Sequence, residues 1–363
     1  MCVRRFVAVP IILSSLVLSS TATELSNRVS VVRSSVRGQP FKVQLGADGT
    51  IHLLLDSDQG PLYAKYQDRG LTFSEPVGVV DAATQKPGLK FSAADLVVGK
   101  DGRVFVAMSN NAWKLKLPQE EWSFYLASLA PGRKTFSPVR NLNRKSSEGF
   151  GLAADKNGAV TATFLSGKLF AMFSRDNGET FTSSAELDPS WNPCDCCTTS
   201  AVYGQDGKLA LLYREETDNE RDMFLVLWDQ RSDAKPKRTR VSGAPWKVAA
   251  CPMTYFTVNS APRGYVAAWP TKGQVYFTWL DKAGEVLPPG EIKTPGASGM
   301  RNNLVALSVS DGVTLIGWKN KDVLGWQLYE PTGRPIGNAG STESPGSGAA
   351  GVVLNDGRFL LFP

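Results

Sequence analysis

Histidine is nearly missing: His52 is the sole imidazole in 363 residues. That excludes Ser-His-Asp and Cys-His catalytic arrangements and any multi-histidine metal site, since each needs an imidazole set beside other specific groups. Asn-x-Ser/Thr sequons are absent as well, which fits a bacterial exported chain better than a eukaryotic secreted one. Long apolar runs are lacking. The longest, Phe6 to Leu18, is too short for a comfortable membrane span, so none is expected. Nor does one sign of charge dominate, with 40 Lys and Arg against 34 Asp and Glu. The single basic run, Lys235 to Arg240, falls in an expected turn and reads as a solvated loop. It lacks the interleaved aromatics of a single-stranded nucleic-acid site, so no nucleic acid is expected as a partner.

What is present begins with an export signal. Arg4 and Arg5 precede the apolar run, and Ser20-Thr21-Ala22 offers the small residues a signal peptidase reads. Residues 1–22 are expected to be a signal peptide and 23–363 one exported domain, periplasmic or secreted. Cys2 precedes the apolar stretch, so a lipoprotein anchor is not indicated. Without Cys2, four cysteines remain, Cys194, Cys196, Cys197 and Cys251, an even number for an oxidising compartment.

The chain repeats one hairpin, an apolar run, a tight turn and a second apolar run. The turns fall at Asp48-Gly49, Asp101-Gly102, Asn157-Gly158, Asp206-Gly207, Arg263-Gly264, Asp311-Gly312 and Asp356-Gly357. Their spacing of roughly 45 to 57 residues signals an array of equivalent sheets. In the first unit Phe41 to Leu45 and Ile51 to Leu55 are followed by Pro61 to Tyr66 and Glu75 to Val80, four short strands, as in a propeller blade. The expected fold is therefore an all-β propeller of four-stranded blades, seven by this count, with Arg28 to Arg33 returning as an outer strand to close the ring.

Antiparallel strands place the turns after strands one and three on one face. The loop after strand two and the lead-in to strand one lie on the other, where propeller ligands usually bind near the axis. That face collects Asp56-Ser57-Asp58, Asn111 and Trp113, Glu148, Asn192 to Thr199, Arg214 to Asp222, Trp246 to Met253, Trp269 to Lys272, Arg301 to Asn303, and Trp318 to Asn320. Flat apolar rings with directional polar groups suit a sugar, which makes Asn111, Trp113, Trp246, Trp269, Trp318 and Asn302 candidate ligand contacts.

A second turn recurs between strands three and four. Its fullest form is Ser174-Arg175-Asp176-Asn177-Gly178-Glu179-Thr180-Phe181; Gln67-Asp68-Arg69-Gly70-Leu71-Thr72-Phe73 is a close copy and Pro131 to Phe136 a worn one. The carboxylate accepts backbone N–H groups across the turn and the glycine takes a conformation other residues resist. This resembles the Asp-box of the sialidase (BNR-repeat) superfamily. The resemblance implies a six-bladed propeller as the alternative to seven. It gives Asp68, Gly70, Thr72, Phe73, Asp176, Gly178, Thr180 and Phe181 a structural role, distant from substrate.

The blocks Trp191 to Thr199 and Trp246 to Met253, on neighbouring blades, resemble those of exported bacterial sialidase-like proteins with a Cys-x-Cys-Cys block. Asp195 and Met253 depart from that pattern. A disulfide from Cys251 to one member of the cluster is geometrically natural, with the other two paired or free. Zinc sites prefer Cys-x-x-Cys, so metal is the alternative reading, with copper(I) the kind of soft ion such thiolates accept. The sialidase resemblance also implies an arginine clamp on a substrate carboxylate, a Tyr-Glu nucleophile pair and an acidic aspartate. Arg214, Arg221 and Arg301 are the clamp candidates by face, with Glu215 or Glu216, Asp58 or Asp56, and Tyr255. The family's Arg-Ile-Pro motif is absent; Arg37-Gly38-Gln39-Pro40 keeps only its ends. The expected function is thus binding of a glycan or another exported partner without sialidase activity. The alternatives are a divergent exo-glycosidase and a cysteine-centred scaffold or metal-handling protein. No cofactor or resident metal is expected.

Overall fold

The computed structural model describes residues 28–67, 71–243 and 245–363. The expected signal peptide lies outside these, as do Asp68 and Gly70. Seven sheets form a closed β-propeller. Blade 1 holds Gln39–Leu45, Ile51–Asp56 and Leu62–Gln67, with Thr72–Phe73 and Val77–Gly78 both paired to the third. Blade 2 is Phe91–Val98, Val104–Asn110, Tyr125–Leu129 and Arg140–Asn141; blade 3 is Glu148–Ala154, Val160–Leu165, Leu169–Ser174 and Ala185–Glu186. Blade 4 is Ser200–Tyr203, Leu209–Arg214, Met223–Trp228 and Lys237–Arg240. Blade 5 is Thr257–Ala261, Gly264–Thr271, Gln274–Asp281 and Ile292–Ala297. Blade 6 is Leu304–Ser308, Thr314–Asn320, Val323–Tyr329 and Pro335–Glu343. Blade 7 has three strands, Ala350–Val353, Phe359–Phe362 and the returning Val29–Val31.

Seven blades, not six, follow from where the apolar residues go. Each sheet packs on both neighbours, so second strands are buried on both faces rather than alternating; Ile51 to Leu55 is buried at every position, His52 included. The core divides into seven clusters, each lying between two adjacent blades, and the last joins Val43 and Ile51 of blade 1 to Ala350 and Phe362 of blade 7. Fully burying one such side chain contributes about 1.5–3 kcal/mol. No outer face can be left open without losing one interface.

Closure uses a device the repeat alone does not suggest. Val29–Val31 pairs with Phe359–Phe362 in parallel, whereas the other strand pairs among the described residues are antiparallel. A parallel third strand leaves the chain on the face where blade 1 begins, so the fourth strand is unnecessary.

The turns behave as their residues dictate. Gly49, Gly158, Gly207, Gly312 and Gly357 take positive φ, between 77° and 102°. The aspartate before several of them caps the backbone two residues on, as Asp48 does for Thr50 at 2.9 Å and Asp311 for Val313 at 3.0 Å. Blade 5 differs: Ala261 pairs directly with Gly264, so its turn is Pro262-Arg263 and Gly264 opens the strand. In the blade 3 Asp-box, Thr180 donates to Asp176 from its backbone (3.0 Å) and hydroxyl (2.5 Å), and the Gly178 N–H donates to Ser174 Oγ at 2.8 Å. The two Thr180 donors, with the Ser174 hydroxyl, hold the exposed Asp176 carboxyl well below its ordinary range. The Asn177 N–H reaches the Gly158 carbonyl at 3.0 Å, so the box and the first hairpin share one face. Among the described residues no helix is long and apolar enough to cross a membrane.

Candidate functional site

The opposite face carries a cavity of about 790 Å³ around the axis. Lead-ins to the first strands of blades 1 to 6 line it, with the loop after blade 2's second strand as one wall. Three consecutive first strands are bulged where they meet it, between Pro40 and Lys42, Ala93 and Asp95, and Glu148 and Gly151. An extra residue in a paired strand re-aims the side chains beside it, and here it turns Phe41, Ala94 and Gly149 to the cavity wall.

Charge on this wall is mixed but mostly positive: Lys42, Lys90, Lys114 and Arg301 face Asp95 and Glu148. Asp95 is already engaged. Its carboxylate meets Lys42 at 3.2 Å and accepts the Leu96 and Leu152 N–H groups, tying blade 1 to blade 3. Glu148 has no such clasp; burial raises its pKa, Arg301 opposes the rise and Asp195 adds to it. Tyr255 is likewise raised by burial, with Arg301 lowering it and Asp56 raising it. Arg301 therefore acts on both a carboxyl and a phenol. Its own backbone takes φ 55° and donates to the Met253 carbonyl at 2.8 Å, which fixes where the side chain starts. Trp113 stands 58 % exposed at the rim, with Lys114 Nζ 5.3 Å from its ring.

The sequence candidates divide sharply. Arg301, Asn111 and Trp113 line the cavity. The Asn111 amide is spent on the Lys90 N–H and the Gly88 carbonyl, so it shapes the wall rather than reaching in. Asn302 donates to the Lys319 carbonyl at 3.1 Å. Asp58 lies in a separate pocket of about 230 Å³ with Lys86 and Lys90. Trp269 and Trp318 are core residues; the Trp318 ring occupies space that a Cβ on Gly296 or Gly325 would fill. Glu215 is buried, accepting from Tyr213 Oη (2.7 Å) and the Asn192 N–H and paired to Arg238 at 3.2 Å. Arg214 is 1 % exposed, donating to the carbonyls of Arg221 and Pro270 and lying 5.0 Å from the Trp246 ring. The three arginines do not converge on one pocket. Lys42, Asp95, Lys90 and Trp122 are among the lining groups the sequence reading passed over, and a charge inside an apolar first strand is the signal that marks the first two.

The cysteine turn forms part of the wall, where Cys196 and Cys197 line the cavity. Cys196 and Cys251 form a disulfide across blades 4 and 5, with Cα atoms 6.4 Å apart. Cys194 and Cys197 are buried thiols with Sγ atoms 3.0 Å apart, and Arg221 Nη1 reaches Cys194 Sγ at 3.0 Å. Among the described residues Cys194, Cys196 and Cys197 form the sole gathering of three metal-type donors. One of these sulfurs is spent in the disulfide and two guanidinium groups stand nearby, so the setting opposes a cation.

No protein-family model matches this chain, and no curated protein matches it. Solved structures do. An ulvan lyase described as a new polysaccharide lyase family, PL25, is similar at TM-score 0.59 and 11 % identity, over 89 % of this chain and 90 % of that one. Such a lyase bound to -[GlcA(1-4)Rha3S]- gives 0.58 and 12 %, over 89 % and 90 %. A chain of the mitotic checkpoint complex gives 0.52 and 13 %, over 88 % and 82 %. At such identities the likeness is one of fold alone, and a fold shared by a lyase and a checkpoint assembly leaves function to be argued from the site.

Proposed function

We propose that this propeller binds a carbohydrate in the axial cavity, with an acidic sugar as the favoured ligand. One observation carries the reading: a cavity of about 790 Å³ whose wall combines the exposed Trp113 ring with Arg301 and three lysines against two carboxylates, one of them neutralised by Lys42. An indole offers the flat face of a sugar ring a platform, and a guanidinium pairs with a sugar carboxylate or sulfate in two parallel hydrogen bonds. The polysaccharide-active neighbours in the same fold support the ligand class. Export, which such a ligand suits, is part of the proposal.

A second reading, turnover of the bound glycan, is favoured by Glu148. Glu148 is exposed to the cavity, and desolvation there shifts its carboxyl upward, the direction a proton donor to a glycosidic oxygen requires, with Tyr255 and Arg301 acting on the same space. The arginine clamp of a sialidase is not assembled here, so classical sialidase activity is not part of the reading.

Calorimetric titration with neutral and uronate- or sulfate-bearing oligosaccharides tests the proposal. Acidic ligands should bind more tightly. Trp113→Ala should weaken both kinds by about tenfold, equivalent to about 1.4 kcal/mol, and Arg301→Ala should erase the preference for acid. Equal, weak binding of every oligosaccharide, unchanged in both variants, would defeat it. Release of reducing ends, lost in Glu148→Gln while binding persists, would establish turnover.

A further inference from the structure

Arg214 poses a problem of charge. It is 1 % exposed, a guanidinium does not deprotonate in a protein, and its Nε has no hydrogen-bond partner among the described residues. Asp222, the carboxylate whose charge it feels, is paired to Arg240 at 2.7 Å. Arg221, on the same turn, spends its Nε on the Val248 carbonyl and points Nη1 at sulfur. Asp222 is thus shared between Arg214 and Arg240, and burying the remaining positive charge is costly, so a further anion belongs beside these two arginines. The groups in place to supply it are Cys194 and Cys197.

The thiol pair meets that demand. Cys194 and Cys197 share one S–H···S bond across 3.0 Å in which either sulfur can donate; with Cys194 as donor, that bond together with Arg214 and Thr254 holds the Cys197 thiol below its ordinary range and pushes Cys194 up. The pair behaves as one unit sharing a single proton. When that proton rests on Cys197, Cys194 carries the charge under the Arg221 hydrogen bond. Cys194 Sγ is then 3.6 Å from Cys196 Sγ, one half of the disulfide.

We infer that Cys194, Cys197 and the Cys196–Cys251 bond form a thiol–disulfide exchange site that transfers a thiolate from the buried turn to Cys251. Cys194 Sγ attacks Cys196 Sγ, the Cys194–Cys196 bond forms as Cys196–Cys251 breaks, and the electron pair leaves on Cys251 as thiolate. Cys197 keeps its proton. One disulfide, one thiol and one thiolate stand on each side of the step, so no outside oxidant or reductant takes part. Cys194 and Cys197 are 2 % exposed whereas Cys251 is half-buried, so exchange brings a nucleophilic sulfur toward solvent.

The test uses the full chain without reductant, held at pH 8 with N-ethylmaleimide, then acid-denatured, digested and mapped. Exchange places label on Cys251 and releases its peptide from the one carrying Cys196. Cys194→Ser, which preserves side-chain size, should abolish Cys251 labelling with the near-ultraviolet circular dichroism unchanged. Arg221→Gln should slow labelling about tenfold at neutral pH by raising the thiol pKa about one unit. Label confined to Cys194 and Cys197 would overturn the inference. So would a chain in which all four sulfurs are bonded, or Cys251 labelling that persists in Cys194→Ser.

Discussion

His52 shows how one side chain can be read in advance and still surprise. Its place on a second strand was legible, and with it the absence of histidine chemistry. Its environment was not. The ring is 4 % exposed, with Nδ1 2.6 Å from the Tyr63 hydroxyl, and burial lowers its pKa from 6.5 to about 4. Well above pH 6.5 the imidazole is neutral in both folded and unfolded chains and contributes no pH dependence. As pH falls from 6.5 toward 4 the unfolded chain takes up the proton first, so stability drops, by up to about 3 kcal/mol from this group. Urea unfolding at pH 7 and pH 4.5 should show a smaller fall in His52→Gln than in the parent chain. Trp269, Trp318 and Arg214 lie in the core rather than at the cavity for a related reason. Strand-end position says which face a residue starts from; whether a neighbouring lead-in folds over it decides exposure. Trp246 and the cysteine turn cover Arg214, and nothing covers Arg301 in that way.

At the level of elements, turns were the most legible part because each depends on a few local residues. Asp-Gly and the Asp-box carry their geometry in their composition. The bulges that shape the cavity carry no such mark, since one inserted residue in a first strand leaves the apolar pattern nearly intact. The parallel pairing of Val29–Val31 was hidden likewise, because three residues do not disclose a direction. The Asp-box itself packs tightly: a Cβ on Gly178 would lie 2.2 Å from the Phe105 ring of the preceding blade, at a φ of 79°. Gly178→Ala should destabilise the fold by about 1–3 kcal/mol through this overlap, read as a lowered urea midpoint with unchanged slope. A midpoint within error of the parent would show that blades 2 and 3 do not depend on this contact.

For the whole molecule, closure is the property from which the cavity follows. The cavity draws its wall from six blades, and its axial position exists only while the ring is shut. Asn303 illustrates the coupling: its amide, at the cavity, donates to the carbonyls of Phe41 in blade 1 and Ala349 at the approach to blade 7. Removing residues 1–33 should strip the third strand from blade 7 together with the Arg28–Asp311 ion pair. The melting temperature should fall by about 5 °C or more, and ligand affinity should fall with it. Unchanged melting and binding would mean that six blades and a two-stranded remnant hold the ring unaided.

The parallel closing pair also governs the order in which this molecule can be made. Val29–Val31 leaves the ribosome early and finds no sheet to join until Phe359–Phe362 has followed. Throughout synthesis it remains an orphan edge, able to dock on the finishing strand of any neighbouring copy. Crowded refolding should therefore yield exchanged pairs in which each chain completes the other's last blade, and dilution should favour the monomer.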